Sequence, residues 1–413
     1  MNTISTNSFQ ANGKTYRPSN KPIVVICIDG SADEYLDVTA AHGRLKALTH
    51  MSKTGYRGMV RGALPSFTNV NNSSIVTGVS PAVHGICGNF FYDTTKDEEV
   101  MMNSAEYLRA ENLLAAAANA GRKVAVVTAK EKLRDILSHK LTGIAISAEK
   151  ANQAKIETHG IDDVEAKVGY HTPIIYSPEA SLFVLRAGTT LIQQGLADFL
   201  YLSLTDYMQH TYAPDTEESL AFYEEMDKEI GKMLELGAVI GATADHGMNA
   251  KIKSDGSPNV LYVEDMLEQQ FGSGFRVICP ITDPYVKHHG ALGSYVVVHV
   301  DDKSRLEEIK TWLSLQPGIT EVHDRLSAVR NLEQPEDRTG DLVVLSGRDV
   351  VVGRRPQYHN LAALDGTLRS HGGRYEEMVP MVISHSLNSE YRIKAAGDPR
   401  NFDIFDFTVN GTH

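Results

Sequence analysis

Length, composition and charge already exclude several classes of protein. The chain has 413 residues, 42% hydrophobic and 22% charged, which is ordinary for a globular enzyme and enough for a large α/β domain with an insertion. Its net charge of -12 argues against nucleic acid or an anionic membrane as the main partner, although a small anionic substrate remains compatible with it. The three cysteines are scattered, so we expect neither a disulfide framework nor a Cys-x-x-Cys zinc site.

The N-terminal residues do not resemble a targeting segment. Residues 1–20 form a polar leader that lacks the apolar centre of a secretory signal. No apolar run elsewhere approaches the roughly 20 residues that span a bilayer. We therefore expect a soluble, cytoplasmic protein with no membrane partner.

Residues 22–28 are a short, unbroken apolar run that ends at Asp29 and Gly30. Such a run is typical of a strand buried on both faces in a parallel sheet. Asp29 then lies at the carboxyl end of that strand, which is the edge where ligands bind in open α/β sheets.

Residues 64–73 suit a chain that enters a helix from a loop, with Thr68 at the helix start. A helix start exposes unpaired backbone N–H groups and the positive end of the helix dipole, which together favour an anion such as phosphate. Taken alone, Thr68 is more often a capping residue than a nucleophile. Its interpretation as a nucleophile depends on groups further along the chain.

Up to residue 250 the sequence alternates between strand and helix patterns. This alternation predicts an α/β fold with a doubly wound, mostly parallel sheet. The polar, Ala-rich segment 148–173 is expected to form a peripheral insertion or lid. The predicted strands are 22–28, 56–61, 123–128, 143–147, 198–204 and 237–243, and the predicted helices are 36–53, 106–120, 178–195 and 217–236.

Residues from about 251 to 368 break this alternation. Short strand and helix patterns there predict a smaller α+β cap, after which a closing strand and a last helix return the chain to the core. We therefore divide the chain into a metal-binding core of residues 21–250 and 369–413, an inserted cap of residues 251–368 and the leader of residues 1–20.

Acidic and imidazole residues directly follow three of the predicted strands. Asp29, Asp206 and the pair Asp245 and His246 should therefore meet at one sheet edge. Asp206 and His210 are four residues apart, so a helical turn there would point both side chains at one ion. Each group alone has a simpler explanation as a cap, turn residue or solvated helix face. Their convergence opposite the predicted helix start favours a metal site.

Two metal sites follow from these groups. Asp206, His210 and His371 give the two-His, one-Asp set of a catalytic zinc, which leaves a position for a substrate oxygen. Zinc is favoured over magnesium because three of the ligands are imidazoles. Two metals about 4 Å apart suit phosphoryl transfer. The second ion would be held by Asp29, Thr68, Asp245 and His246.

Six stretches of the chain, taken in order, resemble the alkaline phosphatase superfamily in its nucleotide pyrophosphatase/phosphodiesterase branch. The resemblance covers most of the chain. It implies two zinc ions with the ligand sets given above, and Thr68 as the nucleophile. The stretches are Ile28-Asp29-Gly30, Pro65-Ser66-Phe67-Thr68-Asn69, Thr77-Gly78 with Pro81 and His84-Gly85-Ile86, Asp206-Tyr207-Met208-Gln209-His210, Ala244-Asp245-His246-Gly247-Met248 and His371-Gly372-Gly373.

Within that branch the chain resembles members that hydrolyse the carbon–phosphorus bond of phosphonoacetate to acetate and phosphate. This part of the resemblance rests on Asn89, after the nucleophile helix, and on Lys130 and Lys132 at a strand end, and it implies that these residues bind substrate. Cations around the carboxylate would stabilise the carbanion-like acetate as it leaves. Without the resemblance, the lysines fit a solvated turn better and Asn89 fits a turn residue.

Two other interpretations stay open. A phosphodiesterase or phosphomonoesterase with the same metals would differ in the leaving group that it accepts. A metal-binding protein without catalysis would bind zinc and turn over no phosphoryl substrate. The partner expected is a small phosphonate, and a homodimer is compatible with the sequence.

Overall fold

The computed structural model of the protein describes residues 7–284, 289–364 and 367–412. The described residues contain nineteen strands, most of them short. In chain order they are β1 Phe9–Ala11, β2 Lys14–Tyr16, β3 Ile23–Cys27, β4 Tyr56–Arg61, β5 Phe90–Asp93, β6 Glu98–Met101, β7 Val124–Thr128, β8 Ile144–Ser147, β9 Phe199–Ser203, β10 Val239–Thr243, β11 Asn249–Ala250, β12 Val260–Tyr262, β13 Phe275–Ile278, β14 Tyr295–Val300, β15 Ile319–Asp324, β16 Leu342–Ser346, β17 Val351–Gly353, β18 Arg369–Ser370 and β19 Met378–Ile383.

The α-helices lie between these strands or, for the last two, after β19, with short 3₁₀ turns in some connections. In chain order they are α1 Asp33–Ala41, α2 Ala47–Thr54, α3 Thr68–Thr77, α4 Pro81–His84, α5 Leu113–Asn119, α6 Glu131–Leu137, α7 Ile156–His159, α8 Val164–Val168, α9 Pro178–Gln193, α10 Tyr207–Thr211, α11 Glu217–Glu235, α12 Val263–Phe271, α13 Leu306–Ser314, α14 Arg325–Asn331, α15 Ser389–Ala395 and α16 Ile404–Asn410.

A seven-stranded sheet with the order β4-β19-β10-β3-β9-β7-β8 forms the centre of the protein. The strands from β10 to β8 pair in parallel, whereas β19 pairs antiparallel with both β10 and β4. The predicted α/β fold with a mostly parallel sheet is confirmed. Because the five parallel strands are contiguous, their carboxyl ends share one edge of the sheet.

Both faces of this sheet are covered by helices, as the unbroken apolar strands predict. Val24 and Ile26 of β3 point to the face covered by α1, α2, α9 and α11. Val25 and Cys27 point to the opposite face, which α3, α5 and α16 cover. All four side chains are fully buried. Strand β3 is therefore a rigid support for the residue that follows it.

A second, antiparallel sheet has the order β13-β14-β16-β15. Its strands lie within residues 275–346, inside the range that the sequence analysis assigns to the cap. The boundaries of that division, 251 and 368, stay a prediction.

Part of the predicted polar leader packs on the core. Strands β1 and β2 form a hairpin in which Phe9 stacks on Tyr16 with ring centroids 4.8 Å apart. The Phe9 ring also meets Phe199 of the central strand β9 edge-on, at 5.8 Å. Apolar residues at alternate positions give this short segment a buried face, although its overall composition is polar.

Two predicted helices are shorter than expected. The helix predicted at 36–53 is broken between α1 and α2, where Gly43 has a φ of 73°. The Asp227 carboxylate accepts hydrogen bonds from the backbone N–H groups of Lys46, Ala47 and Leu48, so a distant side chain starts α2. The helix predicted at 106–120 is a 3₁₀ turn followed by α5.

Segment 148–173 contains the short helices α7 and α8 and packs against α9. Its residues Ile161 and Val164 are buried in the same cluster as α9. Across the part of the chain that the structure describes, no helix is both long enough and apolar enough to cross a membrane.

Candidate active site

Three of the predicted ligands lie at the carboxyl ends of neighbouring strands. Asp29 follows β3, Asp206 follows β9 and Asp245 follows β10, and these strands are adjacent in the central sheet. His371 joins them from the loop after β18. Each of these four residues is at most 4% exposed. The fold therefore concentrates acidic and imidazole groups in one buried place.

The first predicted ligand set is brought together. Asp206 directly precedes α10, and His210 lies one turn further along that helix. His210 Nε2 is 3.2 Å from Asp206 Oδ2. One ligand atom from each of Asp206, His210 and His371 lies within 4.8 Å of the other two. Two imidazoles and one carboxylate thus face one point.

The second predicted set is also assembled, with Asp206 facing it as well. Ligand atoms of Asp29, Asp206 and His246 lie within 4.8 Å of one another. His246 Nε2 is 3.3 Å from Asp29 Oδ1 and 3.7 Å from Asp245 Oδ2. Asp245 Oδ1 accepts hydrogen bonds from the backbone N–H groups of Gly30 and His246. These two hydrogen bonds from the backbone fix the Asp245 carboxylate beside the second ligand group.

Thr68 is the first residue of α3 and is 2% exposed. Its Oγ1 is 3.5 Å from His246 Nε2, so the hydroxyl faces the second ligand group. Asn72, one turn along α3, donates from its amide nitrogen to Asp245 Oδ2 at 3.3 Å and to the Thr68 carbonyl at 3.1 Å. This amide connects the helix start with the strand end that carries Asp245.

The three imidazoles are oriented in the same way by the main chain. In each ring Nδ1 donates a hydrogen bond to a backbone carbonyl, which leaves Nε2 directed at the ligand groups. This arrangement is typical of metal-binding histidines, whose second nitrogen is held by an outer partner. The pairs are His210 with Arg369 O at 2.8 Å, His246 with Gly247 O at 2.9 Å and His371 with Ser66 O at 2.7 Å.

Asp29 Oδ1 and His210 Nε2 are buried and make no hydrogen bond to a described residue, although His246 Nε2 and Asp206 Oδ2 lie 3.3 Å and 3.2 Å away from them. Buried polar atoms are nearly always paired, so an unpaired one needs an explanation. A bound cation would supply the partner for both atoms. These residues therefore fit the metal ions that the sequence analysis expects.

Electrostatics support the same conclusion. Burial and the neighbouring Asp29 carboxylate raise the pKa of Asp245 to about 8. Burial opposes charge on His246, but Asp245 and Asp29 outweigh it and raise the pKa of that imidazole to about 9. Burial, together with His246 and His210, holds the pKa of His371 well below its usual value. Crowded carboxylates beside a neutral imidazole form a site that a divalent cation would stabilise.

Lys130 lies among the predicted ligands. Its Nζ is 2.7 Å from Asp29 Oδ2 and 2.7 Å from Asp206 Oδ1, and it is 2% exposed. Burial works against the ammonium, but Asp206 and Asp29 outweigh that effect and raise the pKa of Lys130 well above its usual value. Burial would likewise raise the pKa of Asp206, but Lys130 and His210 hold it well below its ordinary range. The lysine is a buried, charged part of the site, which excludes the solvated turn.

Lys132 and Asn89 lie beside this group. Lys132 Nζ is 2.7 Å from Asp283 Oδ2, in a contact where both side chains are at most 8% exposed. Asn89 Oδ1 accepts a hydrogen bond from the backbone N–H of Asn69 at 3.1 Å, and its amide nitrogen donates to Ile281 O at 3.1 Å. Asn89 therefore caps the helix that begins at Thr68. Its role toward a substrate stays a prediction.

Sequence reasoning missed several residues of the site. Tyr176 donates its hydroxyl to Asp206 Oδ1 at 3.1 Å, from a backbone with a φ of 55° that is unusual for a bulky residue. Asp283 contacts Lys132, and His289 lies beside His210; both come from the chain that follows β13. No periodicity or motif marks these positions, because each reaches the site through tertiary packing.

The fold and the site together define a family. A sequence model of the type I phosphodiesterase / nucleotide pyrophosphatase family matches residues 23–374, and the chain belongs to this family. The predicted resemblance to this branch is therefore confirmed, and the protein is a hydrolase.

The chain is similar to a phosphonoacetate hydrolase from Sinorhizobium meliloti 1021. In complex with phosphonoformate, that enzyme is 43% identical to this chain with a TM-score of 0.94, and the match covers 99% of this chain and 100% of that one. The same enzyme in complex with phosphonoacetate gives a TM-score of 0.94 at 42% identity, with the same coverage.

More remote relatives share the fold or a short segment. Murine ectonucleotide pyrophosphatase / phosphodiesterase 5, an inactive variant in complex with AMP, has a TM-score of 0.63 at 15% identity over 95% of this chain and 96% of its own. An ectonucleotide pyrophosphatase/phosphodiesterase of Caenorhabditis elegans is 37% identical over 75 residues, which are 18% of this chain and 9% of the worm protein. The chain thus spans only a small part of that curated relative.

Proposed function

We propose that this protein hydrolyses the carbon–phosphorus bond of phosphonoacetate to acetate and phosphate, using Thr68 as the nucleophile and two zinc ions. The observation that carries the proposal is the end-to-end similarity to the phosphonoacetate hydrolase of Sinorhizobium meliloti 1021, at 43% identity. The assembled ligand groups and the two buried lysines, Lys130 and Lys132, support it.

In this proposal the metal ions are held by the two ligand sets given above. Asp206, His210 and His371 would hold one ion, and Asp29, Asp245, His246 and Thr68 the other. Bound zinc supplies positive charge for the phosphonate oxygens and lowers the pKa of a nearby hydroxyl. The observation in favour is the pair of buried atoms without hydrogen-bond partners, Asp29 Oδ1 and His210 Nε2.

The first step is attack of Thr68 Oγ on phosphorus, which forms an O–P bond and breaks the C–P bond. The electron pair of that bond passes to the carboxymethyl carbon and is delocalised into its carboxylate. The hydroxyl proton of Thr68 passes to solvent, and water delivers a proton to the carbon, so acetate leaves. The start of α3 suits this step because its backbone N–H groups and dipole stabilise negative charge on the phosphonate.

Lys130, Lys132 and Asn89 are proposed to bind the substrate. The lysines would stabilise the charge that develops on the carboxylate during C–P cleavage. An ammonium has three N–H donors, so the contacts of Lys130 with Asp29 and Asp206 are compatible with a further contact to substrate. Asn89, held against the helix start, would donate to a phosphonate oxygen. Water then hydrolyses the phosphothreonine, which releases phosphate and restores Thr68.

The test is phosphate release from phosphonoacetate by the zinc-loaded protein. The assay is repeated after chelation and run beside p-nitrophenyl phosphate and a nucleotide diester. Chelator-sensitive release that is strongest from phosphonoacetate is expected. Zinc binding without turnover of any of the three compounds, with the diester followed by release of its nucleotide monoester, would contradict catalysis.

A second candidate function is a phosphodiesterase or phosphomonoesterase. The family to which the chain belongs favours it, because that family is described by diester and pyrophosphate substrates. Strong turnover of the esters with none of phosphonoacetate would support this candidate and reject the first.

A further inference from the structure

A carboxylate and an imidazole from outside the predicted site support Lys132. Asp283 Oδ2 is 2.7 Å from Lys132 Nζ, and Asp283 Oδ1 is 3.2 Å from His289 Nε2. Lys132 belongs to α6, whereas Asp283 and His289 come from the chain between β13 and β14. We propose that Asp283 and His289 are positioning residues that orient Lys132 toward the carboxylate of the substrate. This inference rests on the proposed function.

The hydrogen bonds fix the direction of the Asp283–His289 contact. His289 Nδ1 accepts a hydrogen bond from the backbone N–H of Ala291 at 3.1 Å. A neutral imidazole whose Nδ1 accepts must carry its proton on Nε2. His289 therefore donates to Asp283 Oδ1, and the opposite oxygen of the same carboxylate is left to face the ammonium of Lys132.

Burial makes this contact specific. The exposed fractions of the side chains are 5% for Lys132, 8% for Asp283 and 3% for His289. A lysine side chain on a helix surface usually samples many conformations, and an ion pair shielded from water restricts them. The carboxylate thus fixes where the positive charge of Lys132 lies, and an ammonium with three donors can hold a second anion as well.

The location of this group connects it with the reaction. The His289 ring centroid is 5.6 Å from that of His210, which belongs to the first ligand group. Asp283 also contributes to the charge balance of Lys130, the other lysine proposed to bind the carboxylate. Because Lys130 and Lys132 are proposed to bind the carboxylate, the arrangement is expected to act on the leaving-group end of the substrate, whereas the metal ligands act on the phosphonate end. Its effect should appear only for ligands that carry a carboxylate.

The experiment is a double-mutant cycle on the zinc-loaded enzyme with phosphonoacetate as substrate. It compares wild type, Asp283→Ala, Lys132→Ala and the double variant. We expect Asp283→Ala to lower kcat/KM by about 10- to 100-fold, by analogy with the loss when the outer partner of a metal-ligating side chain is removed. In the Lys132→Ala background the same change should cost less than about threefold, because residues that act through one another are not additive. Additive losses would overturn the inference.

Competitive inhibition separates positioning from a general structural role. Phosphonoformate carries a carboxylate and orthophosphate does not, so Asp283→Ala should raise the inhibition constant of phosphonoformate at least about fivefold more than that of orthophosphate. Equal changes for both inhibitors would overturn the inference. Asp283→Asn, which keeps an acceptor for Lys132, should recover part of the loss, and it decides the question if the alanine variant does not fold.

Asp198→Asn is the matched control. Asp198 is 7% exposed and binds Arg122 Nε at 2.7 Å, but it precedes β9 and so lies at the opposite end of the strand from the site. The variant Asp198→Asn should leave the ratio of the inhibition constants of phosphonoformate and orthophosphate unchanged. A wild-type enzyme that releases no phosphate from phosphonoacetate would reject the proposed function and this inference with it. Normal wild-type turnover with an unaffected Asp283→Ala variant would reject the inference alone.

Discussion

Replacing Lys130 with methionine should destabilise the metal-free protein far more than the zinc-loaded protein. The Lys130 ammonium is 2.7 Å from both Asp29 and Asp206, and the three side chains are 2%, 0% and 5% exposed. Methionine retains much of the length and volume of lysine but not the charge. The two carboxylates would then be left buried without a compensating cation.

The magnitude follows from these distances. At an effective dielectric constant of about 20, each contact of about 2.7 Å has a gross Coulomb energy of roughly 6 kcal/mol. Most of this is cancelled by the cost of burying the charges, and a carboxylate left alone can take up a proton. Breaking a buried pair by removing one partner typically costs about 3–5 kcal/mol, and we expect that loss in the free energy of unfolding without metal.

Chemical denaturation of the metal-free and zinc-loaded forms measures this effect. Zinc should restore most of the lost stability, because the ions supply the positive charge that the carboxylates lack. Lys123→Met is the control, since Lys123 precedes β7 at the end away from the site and is exposed. Equal losses with and without zinc would refute the argument that Lys130 compensates charge at a metal site.

Three further predictions concern single residues. Thr68→Ala should bind zinc but lose phosphate release by at least about 1000-fold, because the nucleophile is gone. Burial lowers the pKa of His84 to about 3, so below about pH 6.5 the unfolded chain binds a proton that the folded protein does not bind. Between pH 6.5 and 4 the wild type should therefore lose about 3 kcal/mol of its free energy of unfolding through this residue. The variant His84→Gln should not show this loss. Gly372→Ala should cost about 1–3 kcal/mol and weaken zinc binding, since Gly372 has a φ of 124° and an added Cβ would overlap the Phe67 ring next to His371.

Each of these has a result that would contradict it. Full turnover by Thr68→Ala with both metals bound would exclude a threonine nucleophile. Parallel acid-unfolding curves for wild type and His84→Gln would show that His84 does not control acid stability. Gly43→Ala is the control for Gly372→Ala, because Gly43 has a φ of 73° and open space around it. Equal losses of stability and of zinc affinity in the two variants would mean that the backbone conformation alone causes the effect.

The sequence was sufficient to predict the sheet and the convergence of most ligands. Apolar runs end directly at Asp29, Asp206 and Asp245, and a parallel sheet necessarily aligns such ends. The turn that joins Asp206 to His210 is local, so four-residue spacing predicts it. These inferences need only the order of elements along the chain.

Contacts between distant segments could not be predicted in the same way. Nothing in the sequence near Lys130 indicates that its ammonium lies between two carboxylates, since Asp29 and Asp206 are 101 and 76 residues away. The break between α1 and α2 depends on Asp227, which caps α2 from another helix. Periodicity describes one element at a time, whereas these features arise when elements pack.

The outer support of the three imidazoles has an evolutionary consequence. Each Nδ1 is held by a main-chain carbonyl, at Arg369, Gly247 and Ser66, and every amino acid offers that same acceptor. Substitution at those three positions leaves the acceptor in place as long as the backbone path is kept. Side chains around the centre are then free to diverge toward new leaving groups while the ligand geometry is inherited unchanged.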